Sequence, residues 1–460
     1  MVDPSLALGG IEMIAWLVLG LECIVMMVLE LIPVRANISR WILAGGICLL
    51  MVLFPLAGSL PHLYERVIYG DPVHVIYQEM VLITGLGLTG ILSREPSPVA
   101  STLLILTLAG AEVAVCANNW VVLFLGIETL NIGLYGLVGH SGRQKVGDEA
   151  LLKFFILGSI FTACEVAGIG LIGGTQGSLQ IMVSKMSNPA LIAGLSLILA
   201  ALLFKMGSFP FHLWAPDTYE GSPWQATTII ATLPKIVAGS LLIRFMATGI
   251  FSVIPHLRGI LEVVALGTMI VGALGAWRQP RLKRMLAYAA ISQVGFVILP
   301  LSSGHVGAAG VYLVSYILGS MAVFSAAQAL GGQDNPTRLD LVGALKTKSR
   351  WPAVALVMAL AGFAGFPLTV GMAAKLYSVE AVMGESAVVW LGAVLVTGFT
   401  FFYYFRWIFP FFASGNMRLP KNPSFGVLAI SQISAFLIVL LGIWSYPMIW
   451  LTQHLTVLGI

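Results

Sequence analysis

The chain has 460 residues, of which 58% are hydrophobic and 10% are charged, and its formal net charge is +4. Soluble domains carry roughly 25% charged residues, so the composition excludes a soluble protein and predicts an integral membrane protein. The small net charge is spread over loops and gives no basic surface of the kind that binds nucleic acid.

The cysteine pattern excludes several kinds of site. Cys23, Cys48, Cys116 and Cys164 lie far apart within apolar segments, and they form no CxxC pair or cysteine–histidine spacing. The sequence therefore gives no support for a metal site, an iron–sulfur cluster or a disulfide scaffold. The first apolar run lacks a basic n-region and a small-residue cleavage site, so it indicates a retained helix and not a signal peptide.

Runs of about 20 apolar residues predict an all-α protein with about fourteen membrane-spanning helices. In chain order these spans are centred on 11–31, 41–60, 76–93, 98–116, 119–139, 149–172, 189–212, 225–248, 258–277, 284–303, 307–329, 351–381, 387–411 and 425–450. Only the connections 329–350 and 412–424 are more than short loops, so we expect one membrane domain over residues 1–460.

Basic residues are unevenly divided between the two sets of loops. By this map, sixteen lie on one side of the membrane and four on the other. Such a bias marks the basic side as cytoplasmic. The map therefore predicts that both termini lie on the non-cytoplasmic side.

Four lysines fall within the predicted spans: Lys153, Lys205, Lys235 and Lys375. Lys153 lies about one turn into its span, where its side chain can reach the membrane surface. The other three lie nearer the middle of long apolar runs, where a lysine costs about 2.5–3.5 kcal/mol on insertion scales. Lysines at such positions indicate a path for a cation or a proton.

Acidic residues also lie within the spans. Glu128, near the middle of the fifth span, is the expected counter-charge for Lys205. Glu112 and Glu165 are intramembrane by the same map. The sequence leaves open whether these two have a role or only bond neighbouring helices.

Two spans are interrupted by proline. The seventh has Ser208-Phe209-Pro210 after Lys205, and the twelfth has Gly365-Phe366-Pro367 before Lys375. Proline breaks an apolar helix and frees backbone polar groups, which persist at membrane depth only where protein or water satisfies them. Broken helices five spans apart predict two inverted five-helix repeats, spans 4–8 (98–248) and spans 9–13 (258–411).

A third motif, GxGxxG at 168–173, lies inside an apolar span and follows no strand. We interpret it as small-residue helix packing and not as a nucleotide-binding loop.

Several motifs carry a family resemblance. FKMGSFPFHLWAPDTYEGSP at 204–223 and GIETLNIGLYGLVG at 126–139 resemble the N-subunit family of bacterial NADH:quinone oxidoreductase, respiratory complex I, which includes mitochondrial subunit 2. LLKFFILGSI, RLKRMLAYAAISQVGFV and GVYLVSYILGSM match the same family in the same order. The resemblance extends from roughly residue 95 to residue 410.

The resemblance implies a fold and an activity. The fold is fourteen helices with two inverted five-helix repeats, and with helices 7 and 12 broken. The activity is proton translocation in the membrane arm of the complex, driven by redox chemistry in other subunits. The chain itself is expected to hold no cofactor, and quinone, FMN and iron–sulfur clusters are expected in partner subunits.

The same resemblance implies partners and a location. The expected partners are a neighbouring antiporter-like subunit, small membrane subunits and the lipid bilayer, with no nucleic acid. The expected location is the bacterial inner membrane.

Carried over residue by residue, the resemblance implies a proton relay of Glu128, Lys205, Lys235, Lys375 and Lys153. Glu128 matches the family's fifth-helix glutamate and Lys205 its partner in the seventh helix. This chain departs from the family pattern at Gly133, where a proline is usual, and at Gln293, where histidine is frequent in related subunits. Glutamine cannot titrate, so a relay step at Gln293 is left open.

Two other functions stay open at this point. A multisubunit sodium/proton antiporter or membrane-bound hydrogenase subunit would also use Glu128, Lys205 and Lys235, although the PDTYEGSP motif favours the complex I type. A scaffold subunit that only joins its neighbours is disfavoured by the intramembrane charges. The sequence does not identify the electron donor (NADH, ferredoxin, a deazaflavin or hydrogen) or the quinone.

Overall fold

The computed structural model describes residues 4–31, 36–57, 72–92, 98–140, 144–181, 188–331, 335–346, 350–414 and 424–456. Within these ranges the chain is almost entirely helical, and its strand-like contacts are two isolated bridges, Asn119 with Gln180 and Arg281 with Thr337. Eleven of the described helices are long and apolar enough to cross a membrane. The protein is an integral membrane protein.

The described α-helices are numbered in chain order. They are α1 (Pro4–Leu31), α2 (Ala36–Ala57), α3 (Pro72–Ile91), α4 (Pro98–Cys116), α5 (Trp120–His140), α6 (Gln144–Gln176), α7 (Pro189–Met206), α8 (Trp214–Gly221), α9 (Trp224–Ala247), α10 (Leu257–Arg278), α11 (Leu282–Ile298), α12 (Val306–Gly331), α13 (Trp351–Ala364), α14 (Val370–Glu380), α15 (Ala387–Phe412), α16 (Phe425–Ile443) and α17 (Tyr446–Thr456).

The predicted spans correspond to these helices. When α7 with α8 and α13 with α14 are each counted as one broken span, α1 to α16 give fourteen units within the described ranges, as predicted. The last predicted span, 425–450, is divided, because α16 ends at Ile443 and α17 begins at Tyr446. Pro447 lies in the first turn of α17, where its missing N–H is tolerated, whereas it could not continue α16.

Both predicted breaks are present, and each begins at a glycine. Gly207 follows α7 with φ 74°, and Gly365 follows α13 with φ 85°. A residue without a Cβ adopts this left-handed conformation at little cost, so it ends a helix readily. The breaks follow from the glycine and proline residues at these two places. The prediction of two broken helices is confirmed.

Burial divides the helices into a centre and a periphery. The candidate spans that contain α9, α11 and α12 are almost wholly surrounded by other helices, whereas α2, α6, α15 and α16 expose much of their surface. Lys235 and Gln293, which the sequence singled out, therefore lie on the central helices together with Tyr312.

Glycines let neighbouring helices touch along their backbones. A Cβ on Gly126 of α5 would lie 2.5 Å from the backbone nitrogen of Ala114 in α4. A Cβ on Gly272 of α10 would lie 2.3 Å from the backbone nitrogen of Ser292 in α11. These two helix pairs open the two predicted repeats. The boundaries of the repeats, at 98–248 and 258–411, stay a prediction.

The GxGxxG motif packs helices, as predicted. A Cβ on Gly168 of α6 would lie 2.8 Å from the carbonyl oxygen of Gly194 in α7. The motif lies within α6 and follows no strand in the described part of the chain. Close approach of two helices accounts for this glycine.

Ion pairs join loops that the basic-residue map assigns to the same side of the membrane. Arg284 bonds Asp217 at 3.0 Å, and Lys153 bonds the same carboxylate at 2.9 Å. On the other side of the map, Arg258 bonds Glu385 at 2.7 Å. The helix order of the map therefore agrees with these contacts, while the location of the two termini stays a prediction.

We expect Gly126→Ala to destabilise the folded chain, because its new methyl group would overlap the backbone of α4. Overpacking of this kind costs about 1–3 kcal/mol. The matched control is Gly170→Ala in α6, where a Cβ meets nothing within 4 Å. Thermal unfolding in detergent should show a lower midpoint for Gly126→Ala alone. Equal midpoints for the two variants would contradict the backbone contact of α4 with α5.

Candidate functional site

Lys205, in the last turn of α7, is linked to Glu128 through an amide. The buried Lys205 ammonium donates to Asn131 Oδ1 at 2.7 Å. Asn131 Nδ2 in turn donates to Glu128 Oε1 at 2.7 Å, and the Thr162 hydroxyl donates to the same oxygen at 2.8 Å. Within the described residues, no ion pair joins Glu128 directly to Lys205.

The intervening amide follows from helix geometry. Asn131 lies three residues after Glu128 on α5, so the two side chains share a helix face. An amide presents an acceptor on one side and two donors on the other, which suits a position between an ammonium group and a carboxylate. Sequence analysis missed Asn131, because a polar residue in an apolar helix does not reveal which neighbouring helix it contacts.

A cavity of about 20 Å³ lies beside Lys205, enough for about one water molecule. Its polar lining consists of Asn131, Thr162, Glu165 and Lys205, and it reaches Pro234 of α9. Several aromatic side chains complete the wall, namely Tyr135, Phe154, Phe161, Phe204 and Trp214. The cavity therefore extends from Lys205 towards the helix that carries the next lysine.

Lys235, on α9, bonds a backbone carbonyl that Pro234 leaves without its helical partner. In an α-helix each carbonyl accepts from the N–H four residues later, and Pro234 has no N–H to offer Ile230. The Lys235 ammonium donates to Ile230 O at 3.2 Å and lies 4.6 Å from the centroid of the Trp214 ring. Lys235 is 2% exposed, so bulk water does not solvate its charge. The carbonyl and the cation–π contact stabilise the charge instead.

Lys375, on α14, bonds the backbone at the second helix break. Its ammonium donates to Ala364 O at 3.2 Å, the carbonyl of the last residue of α13. It also donates to the Thr400 hydroxyl of α15 at 2.9 Å. Lys375 is 3% exposed, and the ring of Phe296 lies 5.1 Å from its ammonium nitrogen.

A buried polar cluster around Gln293 lies close to both of these lysines. Gln293 Nε2 donates to Phe363 O at 3.0 Å and to the Tyr404 hydroxyl at 2.9 Å, while the Tyr312 hydroxyl donates to Gln293 Oε1. Phe363 O is the carbonyl next to the one that holds Lys375. One turn after Tyr312, the Tyr316 hydroxyl donates to Ala231 O of α9 at 2.9 Å, near Lys235. Two tyrosine hydroxyls therefore bond the Gln293 side chain, and a third lies one turn further along α12.

Lys153 lies apart from the buried lysines. Its side chain is 45% exposed and forms ion pairs with Glu149 at 2.7 Å and Asp217 at 2.9 Å. Arg284 bonds both Asp217 and Glu220, and the group surrounds a cavity of about 170 Å³. Lys153 is thus part of a surface charge cluster, as expected for a residue only one turn into its span.

The site offers hydrogen bonds for protons and water. Within the described ranges, no group of three or more histidine, cysteine, aspartate or glutamate side chains could hold a metal ion. Lysine, carboxyl and hydroxyl groups can exchange protons, and amide groups can orient them.

Comparison with known proteins assigns the chain to a family. Residues 117–400 match the family described as NADH:quinone oxidoreductase/Mrp antiporter, TM. The chain belongs to this family. The matched segment includes Glu128 and all four lysines of the predicted relay.

Curated relatives include three that are each named NADH-quinone oxidoreductase subunit N. The chain is 33% identical to the Cupriavidus taiwanensis protein over 365 residues, which cover 74% of each chain. It is 32% identical to the Neisseria gonorrhoeae protein over 370 residues, covering 77% of this chain and 76% of the relative. The match to the Herminiimonas arsenicoxydans protein is 33% over 321 residues and spans 65% of each chain.

Solved structures with this fold include chains of two kinds of assembly. A chain of respiratory complex I from Thermus thermophilus gives a TM-score of 0.82 at 24% identity, over 94% of this chain and 97% of that one. A chain of the Mrp complex from Dietzia sp. gives 0.85 at 18% identity, over 96% of each. At these identities the likeness shows the fold alone, and the fold does not separate the two assemblies.

The link between Pro234 and Lys235 makes a prediction about stability. Lys235→Met should destabilise the chain, because Ile230 O then loses its donor. In a Pro234→Ala background the new N–H can bond Ile230 O, so the same substitution should cost about 1–2 kcal/mol less. Thermal unfolding of the two single variants, the double variant and the parent chain in detergent measures this difference. Strictly additive effects would contradict the role of Lys235 as the donor to that carbonyl.

Proposed function

We propose that the chain is a proton-translocating membrane-arm subunit of a complex I-type NADH:quinone oxidoreductase. One observation carries the proposal: Lys205, Lys235 and Lys375 are buried inside a membrane protein, and each donates to a neutral oxygen. A carboxylate partner would hold an ammonium group more firmly than an amide or carbonyl does. The relatives named subunit N favour complex I over the other assemblies that use this fold.

The first step of the mechanism is at Glu128. The negative charge of Glu128 stabilises the Lys205 ammonium through Asn131. A movement in a neighbouring subunit that displaces Glu128 removes one of the two carboxyl groups near the ammonium, which stays bonded to a neutral amide. The buried cation is then destabilised, and its proton passes towards Lys235 through the cavity that reaches Pro234.

The energy scale of this step fits the task. Moving one charge against about 200 mV costs about 4.6 kcal/mol. Two unit charges about 6 Å apart interact by about 3 kcal/mol at an effective dielectric constant of about 20. One such change at Glu128 is therefore comparable with the work of moving one proton.

The second half of the path runs from Lys235 to Lys375. A tyrosine hydroxyl can donate and accept at once, whereas a glutamine amide cannot titrate. We assign proton conduction here to the hydroxyls of Tyr312, Tyr316 and Tyr404, together with water, and assign to Gln293 the task of orienting two of those hydroxyls. Lys375 then releases the proton on the far side of the membrane.

Lys153 serves at the entrance. Its cluster with Asp217 and Arg284 lies on the side that the basic loops mark as cytoplasmic. This exposed group of charges exchanges protons with bulk water. The cluster therefore supplies protons to the path, and Lys153 does not hold a proton in the interior.

Redox chemistry takes place elsewhere in the proposed complex. We assign quinone, FMN and iron–sulfur clusters to partner subunits, and place a neighbouring antiporter-like subunit and small membrane subunits beside this chain in the bacterial inner membrane. Both termini lie on the non-cytoplasmic side in this arrangement.

A cation/proton antiporter subunit is the second candidate, because the family that matches residues 117–400 also includes the Mrp antiporters. It would use the same three residues, Glu128, Lys205 and Lys235. Restored growth of a sodium-sensitive host on sodium, with no effect on NADH-driven pumping when the chain is deleted, would select this candidate.

Lys205→Ala and Lys235→Ala should each lower NADH-driven proton pumping by more than about tenfold, since each removes a group that transfers the proton. The complex should still assemble. Pumping is measured with a pH-sensitive dye in membrane vesicles, and assembly by native electrophoresis. Lys346→Ala, at an exposed lysine that bonds Ser414, is the control and should pump normally. Normal pumping by the Lys235 variant would remove the central step of the relay.

A further inference from the structure

The cavity beside Lys205 contains a second carboxyl group. Glu165 lies three residues after Thr162 on α6, so these two side chains share a helix face. The Thr162 hydroxyl is the group that donates to Glu128. Both side chains of α6 line the cavity, together with Asn131 and Lys205. The cavity is therefore bounded by the ammonium group of Lys205, the neutral amide of Asn131 and the carboxyl group of Glu165.

One carboxyl oxygen of Glu165 is buried without a hydrogen-bond partner. The residue is 4% exposed, and the unpartnered oxygen is Oε1. A buried acceptor left unsatisfied costs about 1–3 kcal/mol, and more if it is charged. Of the described carboxyl groups with an unpartnered buried oxygen, Glu165 lines the cavity that holds Lys205, so a donor lies within the same space.

Lys205 is the group that can make this bond. It is the only cationic side chain that lines the cavity within the described chain, and its charge interacts with the carboxyl groups of both Glu165 and Glu128. Its long stem lets the ammonium group move, and its bond to the neutral Asn131 is easier to exchange than a direct ion pair. Glu128, in contrast, is already held by Asn131 and Thr162.

We propose that Glu165 is the proton acceptor for Lys205, an inference that rests on the proposed function. When Glu128 is displaced, the Lys205 ammonium turns from Asn131 towards Glu165. An N–H bond of the ammonium breaks as an O–H bond forms on the Glu165 carboxylate, directly or through one water molecule in the cavity. The products are a neutral amine and a neutral carboxylic acid, so no net charge is left in the apolar interior. The acid then returns the proton to the path that leads to Lys235.

The test uses the assembled complex in membrane vesicles. Glu165→Gln keeps the size of the side chain and removes its ability to take a proton, so NADH-driven pumping should fall by more than about tenfold. Glu165→Asp keeps the carboxyl group and should restore part of the pumping. The matched control is Glu112→Gln in α4, a carboxyl group that is also buried with both oxygens unpartnered. This control should pump normally.

A spectroscopic measurement keeps the inference testable if the Gln variant assembles poorly. Turnover-induced infrared difference spectra should contain a carboxylic acid C=O band from Glu165, which moves in Glu165→Asp and is unchanged in Glu112→Gln. A merely structural carboxyl group would give no band that appears during turnover.

The outcomes separate this inference from the function on which it rests. Normal pumping by Glu165→Gln, with pumping lost in Lys205→Ala, would overturn the role of Glu165 and leave the relay intact. Normal pumping by both variants would overturn both. A pumping loss that is equal in Glu165→Gln and Glu112→Gln, without a band sensitive to Glu165→Asp, would assign the loss to disturbed packing and would also overturn the inference.

Discussion

Three ammonium groups inside this membrane protein are each held by a neutral oxygen, and the rest of the site depends on how those oxygens become available. Pro234 frees Ile230 O within α9, and the end of α13 frees Ala364 O. A freed carbonyl and a buried lysine are each costly in an apolar interior, but together they satisfy one another. At both positions the freed carbonyl and the buried lysine are therefore one structural feature.

This arrangement also explains how a cation can be both stable and transferable. A carboxylate in direct contact would hold an ammonium group too firmly to release it within a catalytic cycle. In the proposed mechanism, Asn131 links Glu128 to Lys205 while keeping the two apart, so a displacement of Glu128 would change the stability of the cation.

The sequence predicted the parts of the site that depend on local signals. Charged residues in apolar runs identified Lys205, Lys235 and Lys375, and glycine with proline located both helix breaks. The contacts between helices could not be read from the sequence, because they depend on how the helices pack. Asn131 was therefore missed as the link to Glu128, and Glu165 was left undecided. Lys153 gave the same charge signal as the others, but its place near the end of a span puts it in a surface cluster. The last predicted span is divided, and Pro447 lies in the first turn of α17, where its missing N–H costs no helical bond.

The most direct test of the account is a map of the assembled complex at a resolution that reveals ordered water. The account predicts that the ammonium groups of Lys235 and Lys375 lie on Ile230 O and Ala364 O, and that water and tyrosine hydroxyls form a continuous chain between them. A dry, apolar barrier between the two lysines, or ammonium groups turned towards lipid, would contradict it.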